Sequence, residues 1–280
     1  MTRTRCCFLL IRSIEILHQI NFKSAYTSRN LFIKSRSFGC RPYSNSKTTT
    51  TTATSKENIK TMDGMEIKDM KLVPCTQSKY VVPGRVTFNQ NGRQRKWDYV
   101  KVHDSVSILI YNKTRDAFVL VRQFRPAPYL NINSKMLKEE VSDIENKSSE
   151  KKDFKTVAPF ELGVTYELCA GIVDQKRSLV EIAQSEIEEE TGYIVPLENI
   201  KQIFRHTATG HSGNMGTAFY AEVTDDMKTA KGGGVQDSGE FIDLYYLPRT
   251  DAKDFALDER YVKPSSFIAA IMWFFINQQK

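Results

Sequence analysis

The sequence has few cysteines and no long apolar run, and both absences limit what the chain can be. Its 280 residues include five cysteines, an odd number without a CxxC pair, so neither a disulfide framework nor a zinc module is supported. The longest purely apolar run, residues 267–276, is ten residues long, whereas a membrane-spanning helix needs ~20. With 40% apolar and 26% charged residues, the composition favours one core-forming domain with appendages.

The excess basic charge is confined to the N-terminal segment. Residues 1–60 hold 11 of the 40 Lys and Arg residues but only two acids, Glu15 and Glu57, and the rest of the chain is slightly acidic. The formal net charge of +7 therefore does not indicate a nucleic-acid-binding surface on the body of the protein. We expect neither nucleic acid nor a membrane among its partners.

Residues 1–47 combine scattered basic residues with apolar and hydroxyl residues, a composition typical of a mitochondrial transit peptide. A plain disordered tail is the alternative, and a secretory signal is disfavoured because Arg12 and Glu15 interrupt its apolar stretch. A Thr-rich linker follows. We predict that residues 1–60 form a disordered targeting segment and that the protein is mitochondrial, or cytoplasmic if translation starts at Met62 or Met65.

The pattern of residues 61–280 indicates mixed strands with few helices, which is typical of an α+β or α/β sandwich. A hairpin is predicted around Asn91-Gly92, with strands at residues 85–88 and 97–100. Residues 135–155 read as an insertion or mobile loop, and Gly232-Gly233-Gly234 as a flexible lid or turn. The other predicted elements are strands at residues 106–111, 117–122, 165–169 (broken at Ala170-Gly171), 203–206, 218–223 and 241–247, and a helix at 263–278.

The clearest helix is predicted at residues 178–191. Ser178 and Glu181 have the spacing of a capping box, and Gly192 suits the left-handed conformation that ends a helix. At 100° per residue, three carboxylates share the side of the helix that should pack on the sheet. That side carries Leu179, Ile182, Ala183, Glu186, Glu189 and Glu190, whereas Glu181 and Glu188 point to the opposite, solvated side.

The negative charge of these three clustered carboxylates requires a compensating positive group. They repel one another close to a helix C-terminus, where the helix dipole disfavours negative charge, and no Lys or Arg lies between residues 178 and 200. A solvated acidic face is the simplest interpretation of a Glu-rich helix taken alone. A hard divalent cation from outside the helix is the other interpretation, since it suits clustered carboxylate oxygens.

The residues around this helix resemble the Nudix box, Gly-x5-Glu-x7-Arg-Glu-U-x-Glu-Glu-x-Gly-U, in which U is a bulky apolar residue. The two departures are Arg177, where the box has its first Glu, and Ser185, where it has Arg. Seven of the nine specified positions match: Gly171, Glu186, Ile187, Glu189, Glu190, Gly192 and Tyr193.

The resemblance extends from about residue 80 to residue 280, through segments at residues 97–99, 103–106, 119–127, 167–175 and 218–223. These segments are similar to the UDP-sugar diphosphatase branch of the Nudix hydrolases, close to the ADP-ribose pyrophosphatases. The resemblance implies an α+β fold, a Nudix α/β/α sandwich of mixed β-sheet with an N-terminal antiparallel β subdomain. It places the hairpins at about residues 80–103 and the catalytic core at about residues 104–280.

The resemblance also implies an activity and an assembly. Members of this branch hydrolyse the diphosphate bond of a nucleoside diphosphate sugar, here UDP-glucose to UMP and glucose 1-phosphate, with Mg²⁺ or alternatively Mn²⁺. ADP-ribose is the nearest alternative substrate, and a catalytically weak nucleotide-binding protein is the alternative from another class. The analogy favours a homodimer.

The resemblance implies a set of metal ligands and a general base. Glu186, Glu189 and Glu190 are expected to hold the metal, together with the carbonyl of Ala170 at the end of its strand. The general base is either Glu190 or an acid in the loop at residues 232–240, and Glu240 is the favoured residue of that loop.

Three further residues are expected to bind the substrate. Arg125 follows a strand end, where its guanidinium could bind a phosphate through two hydrogen bonds, although it could also stabilise the turn. Trp97 and Tyr99 could stack on the uracil ring, although most hairpin aromatics only pack.

Overall fold

The computed structural model describes residues 62, 65–137, 152–153, 155–235 and 239–277. The predicted targeting segment, residues 1–60, and the middle of the predicted insertion at residues 135–155 lie outside the described residues. Within the described part of the chain, no helix is both long and apolar enough to cross a membrane.

The described residues form eleven strands and four α-helices. In order they are β1 (Lys71–Leu72), β2 (Val82–Gln90), β3 (Arg93–Lys101), β4 (Ser105–Asn112), β5 (Ala117–Phe124), α1 (Pro126–Leu137), β6 (Lys152–Asp153), β7 (Val164–Glu167), β8 (Cys169–Ile172), α2 (Leu179–Glu186), β9 (Lys201–Thr207), β10 (Met215–Val223), β11 (Asp243–Pro248), α3 (Ala252–Leu257) and α4 (Ser265–Asn277).

A mixed seven-stranded sheet forms the centre, with the order β11-β5-β4-β10-β9. Strands β4 and β10 are parallel, and the other pairs are antiparallel. Strands β4 and β5 pair only at three positions next to their connecting turn and then separate. The chain through β7 and β8 fills the opening, since β7 pairs with β5 and β8 pairs with β4. Strand β8 is therefore held inside the split sheet.

Apolar residues cover both faces of this sheet, which gives the three layers of an α/β/α sandwich. Val106, Ile108 and Ile110 of β4 belong to the core under α2, whereas Leu109 belongs to the core under α3 and α4. All four side chains are fully buried. Alternate residues of a strand point to opposite faces, so a strand buried on both faces is apolar at nearly every position. The predicted α+β sandwich is confirmed.

Strands β2 and β3 form a separate two-stranded antiparallel sheet. Their register pairs Gln90 with Arg93, and the two turn residues between them, Asn91 and Gly92, have φ values of 53° and 75°. Positive φ at both central residues is the signature of a tight hairpin turn that matches the strand twist. This hairpin is the N-terminal antiparallel β subdomain that the sequence predicts.

Two helices and one strand differ from the sequence prediction. Helices α1 and α3 are not predicted; α1 begins at Pro126, a favourable first helical position because proline has no backbone N–H and a fixed φ. The prediction that Ala170-Gly171 breaks a strand is wrong, because both residues lie inside β8 and pair with Ser107 and Val106 of β4. A glycine inside a strand can mark a close approach of another group rather than a break.

Helix α2 begins at the predicted capping box. The Ser178 hydroxyl accepts a hydrogen bond from the Glu181 amide, and the Glu181 carboxylate accepts one from the Ser178 amide at 2.8 Å. Two backbone N–H groups of the first turn are satisfied in this way. The start of α2 is therefore fixed by two residues of its own sequence.

We expect Ser178→Ala to lower the free energy of unfolding by about 1 kcal/mol, because the first turn of α2 loses its N-cap. Urea denaturation monitored by circular dichroism measures the change. Glu181→Ala should also lower the free energy of unfolding. The double variant should lower it by less than the sum of the two single changes, because each residue caps the other. Strictly additive costs would show that the two side chains do not act as one unit.

Candidate active site

Helix α2 continues into a wider π-helical turn, Ile187–Thr191, before Gly192 ends it with a φ of 75°. A Cβ on Gly192 would overlap the carbonyl oxygen of Ala230. Glycine is therefore needed at this position for both its conformation and its size. The predicted left-handed end of the helix is confirmed, whereas the π-helical turn, a feature often found at functional sites, has no signal in the sequence.

Glu186 lies against strand β8 at Gly171. A Cβ built on Gly171 would overlap the Glu186 carboxylate group, so any other residue at position 171 would displace this side chain. The half-buried Glu186 carboxylate is thus directed onto the sheet and not into bulk water.

Glu190 is the most buried carboxylate of the site, with 5% of its surface exposed. Its Oε2 atom accepts a hydrogen bond from the backbone N–H of Ala170 at 3.0 Å. In an extended strand a residue directs its N–H and C=O to the same edge. The Ala170 carbonyl is therefore directed to the side of β8 on which Glu190 lies.

Glu189 and Glu240 are exposed. The prediction that Glu189 lies on the packed side of the helix is therefore wrong, because the π-helical turn changes the angular spacing of its residues. The Oε2 atom of Glu240 accepts a hydrogen bond from the Val235 amide at 3.2 Å. The charge of Glu240 raises the pKa of both Glu186 and Glu190, and the charge of Glu189 raises that of Glu186. Glu189 and Glu240 are therefore close enough to influence the ionisation of the inner carboxylates.

Burial and mutual repulsion favour the protonated form of the two inner carboxylates. Burial, then the charges of Glu189 and Glu240, raise the pKa of Glu186 to about 7. Burial is also the main cause that raises the pKa of Glu190 to about 8, although the Ala170 N–H favours its ionised form. The surroundings do not compensate the full negative charge of the two groups, so both carboxylates keep a proton to a higher pH than an ordinary glutamate.

The donor set fits a hard divalent cation, since it consists of carboxylate oxygens and one backbone carbonyl. Across the described residues, no group of three or more His, Cys, Asp or Glu side chains is arranged so that it could hold a metal ion. Mg²⁺ is usually bound by one or two carboxylates and completes its shell with waters and substrate phosphates. An open carboxylate cluster is consistent with that mode of binding.

Arg125 lies near this cluster but has a protein partner. Its guanidinium donates two hydrogen bonds to the Glu167 carboxylate at 2.8 and 2.9 Å. These bonds, and then the charges of Glu190 and Glu240, raise the pKa of Arg125. The side chain is 46% exposed, so part of the guanidinium remains accessible to a phosphate.

Trp97 and Tyr99 lie on β3 of the separate hairpin. The Trp97 ring stacks with His211, with the centroids 6.0 Å apart, and Tyr99 packs on Gly84, where a Cβ would lie 2.6 Å from the Tyr99 ring. Tyr99 also lines a cavity of about 420 Å³ with Pro83, Gly84, Arg85, Asp98, Val100 and His211. None of the four carboxylates lines this cavity.

The two departures from the Nudix box contact each other. An Nη1 atom of Arg177 donates a hydrogen bond to the Ser185 hydroxyl at 2.9 Å. The charge of Arg177 also lowers the pKa of Glu186, against the larger effect of burial. The sequence analysis treats the two residues as separate departures from the box and does not predict their contact. The fact that both depart from the same motif was a signal that they could be in contact.

Known proteins are similar to this chain in sequence. The chain is 39% identical over 203 residues to the uridine diphosphate glucose pyrophosphatase NUDT14 of Bos taurus and 38% identical over 203 residues to that of Mus musculus, covering 72% of this chain and 90% of each relative. It is 32% identical over 154 residues to a GDP-mannose pyrophosphatase of Salmonella arizonae, 55% of this chain and 64% of the relative. No family model matches the chain.

The sandwich fold and the acidic helix on β8 define the class, a Nudix hydrolase. Given its similarity to the two mammalian relatives, of which it covers 90% each, the chain belongs to the Nudix hydrolase family, in the group of the nucleotide-sugar pyrophosphatases.

The raised pKa values predict how the stability of the metal-free protein depends on pH. Between the ordinary value of 4.5 and the folded values of about 7 and about 8 for Glu186 and Glu190, the folded protein binds more protons than the unfolded chain. The free energy of unfolding therefore falls as the pH rises through this range. We expect the Tm in EDTA to fall from pH 5.5 to pH 8.5.

Two variants test which group causes this slope, the decrease of Tm with rising pH. Glu190→Gln should flatten it, because the buried group no longer titrates, whereas Glu188→Gln, an exposed residue of the same turn, should leave it unchanged. Mg²⁺ should restore Tm most at high pH, since binding requires the deprotonated carboxylates. A slope that is equal in wild type and Glu190→Gln would contradict the assignment.

Proposed function

We propose that this protein hydrolyses the diphosphate bond of a nucleoside diphosphate sugar, with UDP-glucose converted to UMP and glucose 1-phosphate. The two mammalian relatives are uridine diphosphate glucose pyrophosphatases, which supports this substrate. The observation that carries the proposal is the pair of carboxylates held on β8, with Glu186 over Gly171 and Glu190 on the Ala170 amide.

The residues that would hold a metal are Glu186, Glu189, Glu190 and the Ala170 carbonyl, and the metal we propose is Mg²⁺, with Mn²⁺ as an alternative. When bound, the ion supplies charge neutralisation for the diphosphate and lowers the pKa of a water molecule. The raised pKa values of Glu186 and Glu190 support a cation here, because a positive ion would compensate their mutual repulsion.

Glu240 is the residue that we propose as general base. It accepts the proton from the attacking water while the water oxygen bonds to phosphorus and the bond from phosphorus to the bridging oxygen breaks. Glu240 is exposed and oriented by Val235, so water can reach it. Glu190 is the alternative base, but it is buried and already bonded to the Ala170 amide.

Arg125, Trp97 and Tyr99 are proposed as substrate-binding residues. The exposed part of the Arg125 guanidinium would contact a phosphate while Glu167 fixes its orientation. Trp97 and Tyr99, both more than 40% exposed, present ring surface on which a nucleobase could stack.

The catalytic proposal predicts the outcome of an assay with purified protein. With Mg²⁺ and UDP-glucose, we expect glucose 1-phosphate and UMP, measured by a coupled enzyme and by chromatography. Glu189→Gln should lower kcat by orders of magnitude with the fold intact, because the metal loses a ligand. Glu188→Gln, the exposed neighbour, should retain wild-type activity.

A substrate panel separates the alternatives. UDP-glucose, UDP-galactose, GDP-mannose and ADP-ribose at one Mg²⁺ concentration would identify the preferred base and sugar; faster turnover of ADP-ribose would make the protein an ADP-ribose pyrophosphatase. If none of the four gives a product, the protein binds nucleotides without turnover. The Arg177 and Ser185 exchanges are the reason to consider this alternative.

We also propose a homodimer formed through the β2–β3 hairpin. One face of this hairpin carries five exposed apolar or aromatic side chains, and a two-stranded sheet with an apolar face is marginally stable in water on its own. A second copy of the chain would cover Val82, Val86 and Phe88 on this face, next to the two rings that we propose for nucleobase stacking. The five residues are between 39% and 52% exposed: Val82, Val86, Phe88, Trp97 and Tyr99.

Light scattering during gel filtration tests the dimer. We expect wild type to have twice the chain mass of 32.1 kDa and Val86→Lys to have the single mass, because a charge opposite Trp97 would be buried in the interface. Thr87→Lys, on the opposite face of the same strand, should remain dimeric. A monomeric wild type at micromolar concentration would refute this assembly.

A further inference from the structure

The chain segment at residues 228–235, here called the capping segment, packs on the end of the acidic helix. Its backbone N–H groups donate to carbonyls of the π-helical turn: Gly233 to Glu190 at 2.8 Å and Gly234 to Glu189 at 3.2 Å. The last carbonyls of a helix have no partner within the helix. Here residues some forty positions further along the chain supply the missing donors.

The capping segment continues this pattern over the next two carbonyls. The Lys228 ammonium group donates to the carbonyl of Thr191, and the amides of Thr229 and Ala230 donate to the carbonyl of Gly192 at 2.9 and 3.2 Å. Four consecutive carbonyls, from Glu189 to Gly192, are therefore bound by one segment. The donors and the ammonium also offset the negative end of the helix dipole, close to the carboxylates.

Gly232 is the point of closest approach between the capping segment and the helix. Its φ is 69°, and a Cβ at this position would lie 2.6 Å from the carbonyl oxygen of Glu190 and 2.6 Å from the carbonyl carbon of Thr191. Both neighbours are backbone atoms, which cannot move aside as a flexible side chain would. Any side chain at position 232 would therefore push the segment away from the helix.

The same segment holds Glu240. The Val235 amide donates to the Glu240 carboxylate at 3.2 Å, and the Ile242 amide donates to the Gly233 carbonyl at 3.2 Å. A Cβ on Gly234 would lie 2.9 Å from the Cβ of Glu240. The capping segment thus contacts the ends of both chain stretches that carry the exposed carboxylates.

We infer that the capping segment is a positioning element, and that Gly232 is the positioning residue that fixes Glu240 relative to Glu189 and Glu190. Among the described residues no backbone hydrogen bond joins the helix end directly to the Glu240 stretch, whereas the capping segment is hydrogen-bonded to both. The inference rests on the proposed function, because it assigns a purpose to the carboxylate cluster. Gly232 itself contacts no reacting atom.

The test compares Gly232→Ala with Gly92→Ala. Gly92, at the tip of the β2–β3 hairpin, has a φ of 75°, close to that of Gly232, but a Cβ there meets nothing within 4 Å. Both variants carry the same cost of placing alanine at positive φ. Only Gly232→Ala also forces the capping segment away from the helix.

Three measurements are made at a temperature where both variants are folded: Mn²⁺ affinity without substrate, by electron paramagnetic resonance; kcat and KM for UDP-glucose with Mg²⁺; and Tm. We expect Gly232→Ala to lose about 10-fold or more in Mn²⁺ affinity and in kcat, since supporting contacts of metal ligands carry effects of this size. Gly92→Ala should match wild type in both.

A purely structural role would give a different result. If Gly232→Ala lowered Tm but kept the Mn²⁺ affinity and kcat of Gly92→Ala, the inference would be overturned. If wild type neither binds Mn²⁺ nor hydrolyses any nucleotide sugar, the proposed function fails instead, so the two failures are distinguishable.

A second pair of variants applies if Gly232→Ala does not fold. Lys228→Met removes the ammonium contacts to the carbonyls of Thr191 and Lys231 without adding bulk at the helix end. We expect a smaller loss of Mn²⁺ affinity and kcat, with recovery in Lys228→Arg, which keeps a cationic donor. Equal affinity and kcat in Lys228→Met and wild type would contradict the role of the segment.

Discussion

The contact between the Glu186 carboxylate and Gly171 is the constraint on which the rest of the site depends. Helix α2 can lie close to β8 only because the strand has no side chain at that point. The same approach brings Glu190 within hydrogen-bond distance of the Ala170 amide. Two carboxylates are thereby held against a strand edge, at the cost of burial and repulsion that raise their pKa values.

The split of the central sheet is what makes a strand edge available at this place. Strands β4 and β5 separate after three paired positions, and β7 and β8 enter the opening. Ala170 can then direct its amide away from β4 and towards the helix. Because β4 and β5 separate, a backbone group of β8 faces the acidic residues and not a neighbouring strand.

Much of the fold could be predicted because the relevant interactions are local. The capping box of Ser178 and Glu181 and the left-handed Gly192 depend on residues only a few positions apart, and runs rich in β-forming residues predicted β4 and β5. Helix α1 has a weaker pattern and escaped prediction. The role of Gly171 inside β8 was also not predicted. A glycine that breaks a strand and a glycine that leaves room for a distant side chain look the same in the sequence.

The sequence by itself determined the acidic helix and its two ends, because these follow from contacts within a few residues. The turn that carries Glu189 and Glu190 is π-helical, with Glu189 exposed and Glu190 buried, so ideal helix geometry did not determine which carboxylates face the sheet. Only the tertiary structure decided the partners: Glu167 for Arg125, Ser185 for Arg177, and the capping segment for the helix end. Apart from the short Arg177 contact, these pairs join residues about forty positions apart. Their meeting depends on how the sheet and the loops pack, which no local pattern encodes.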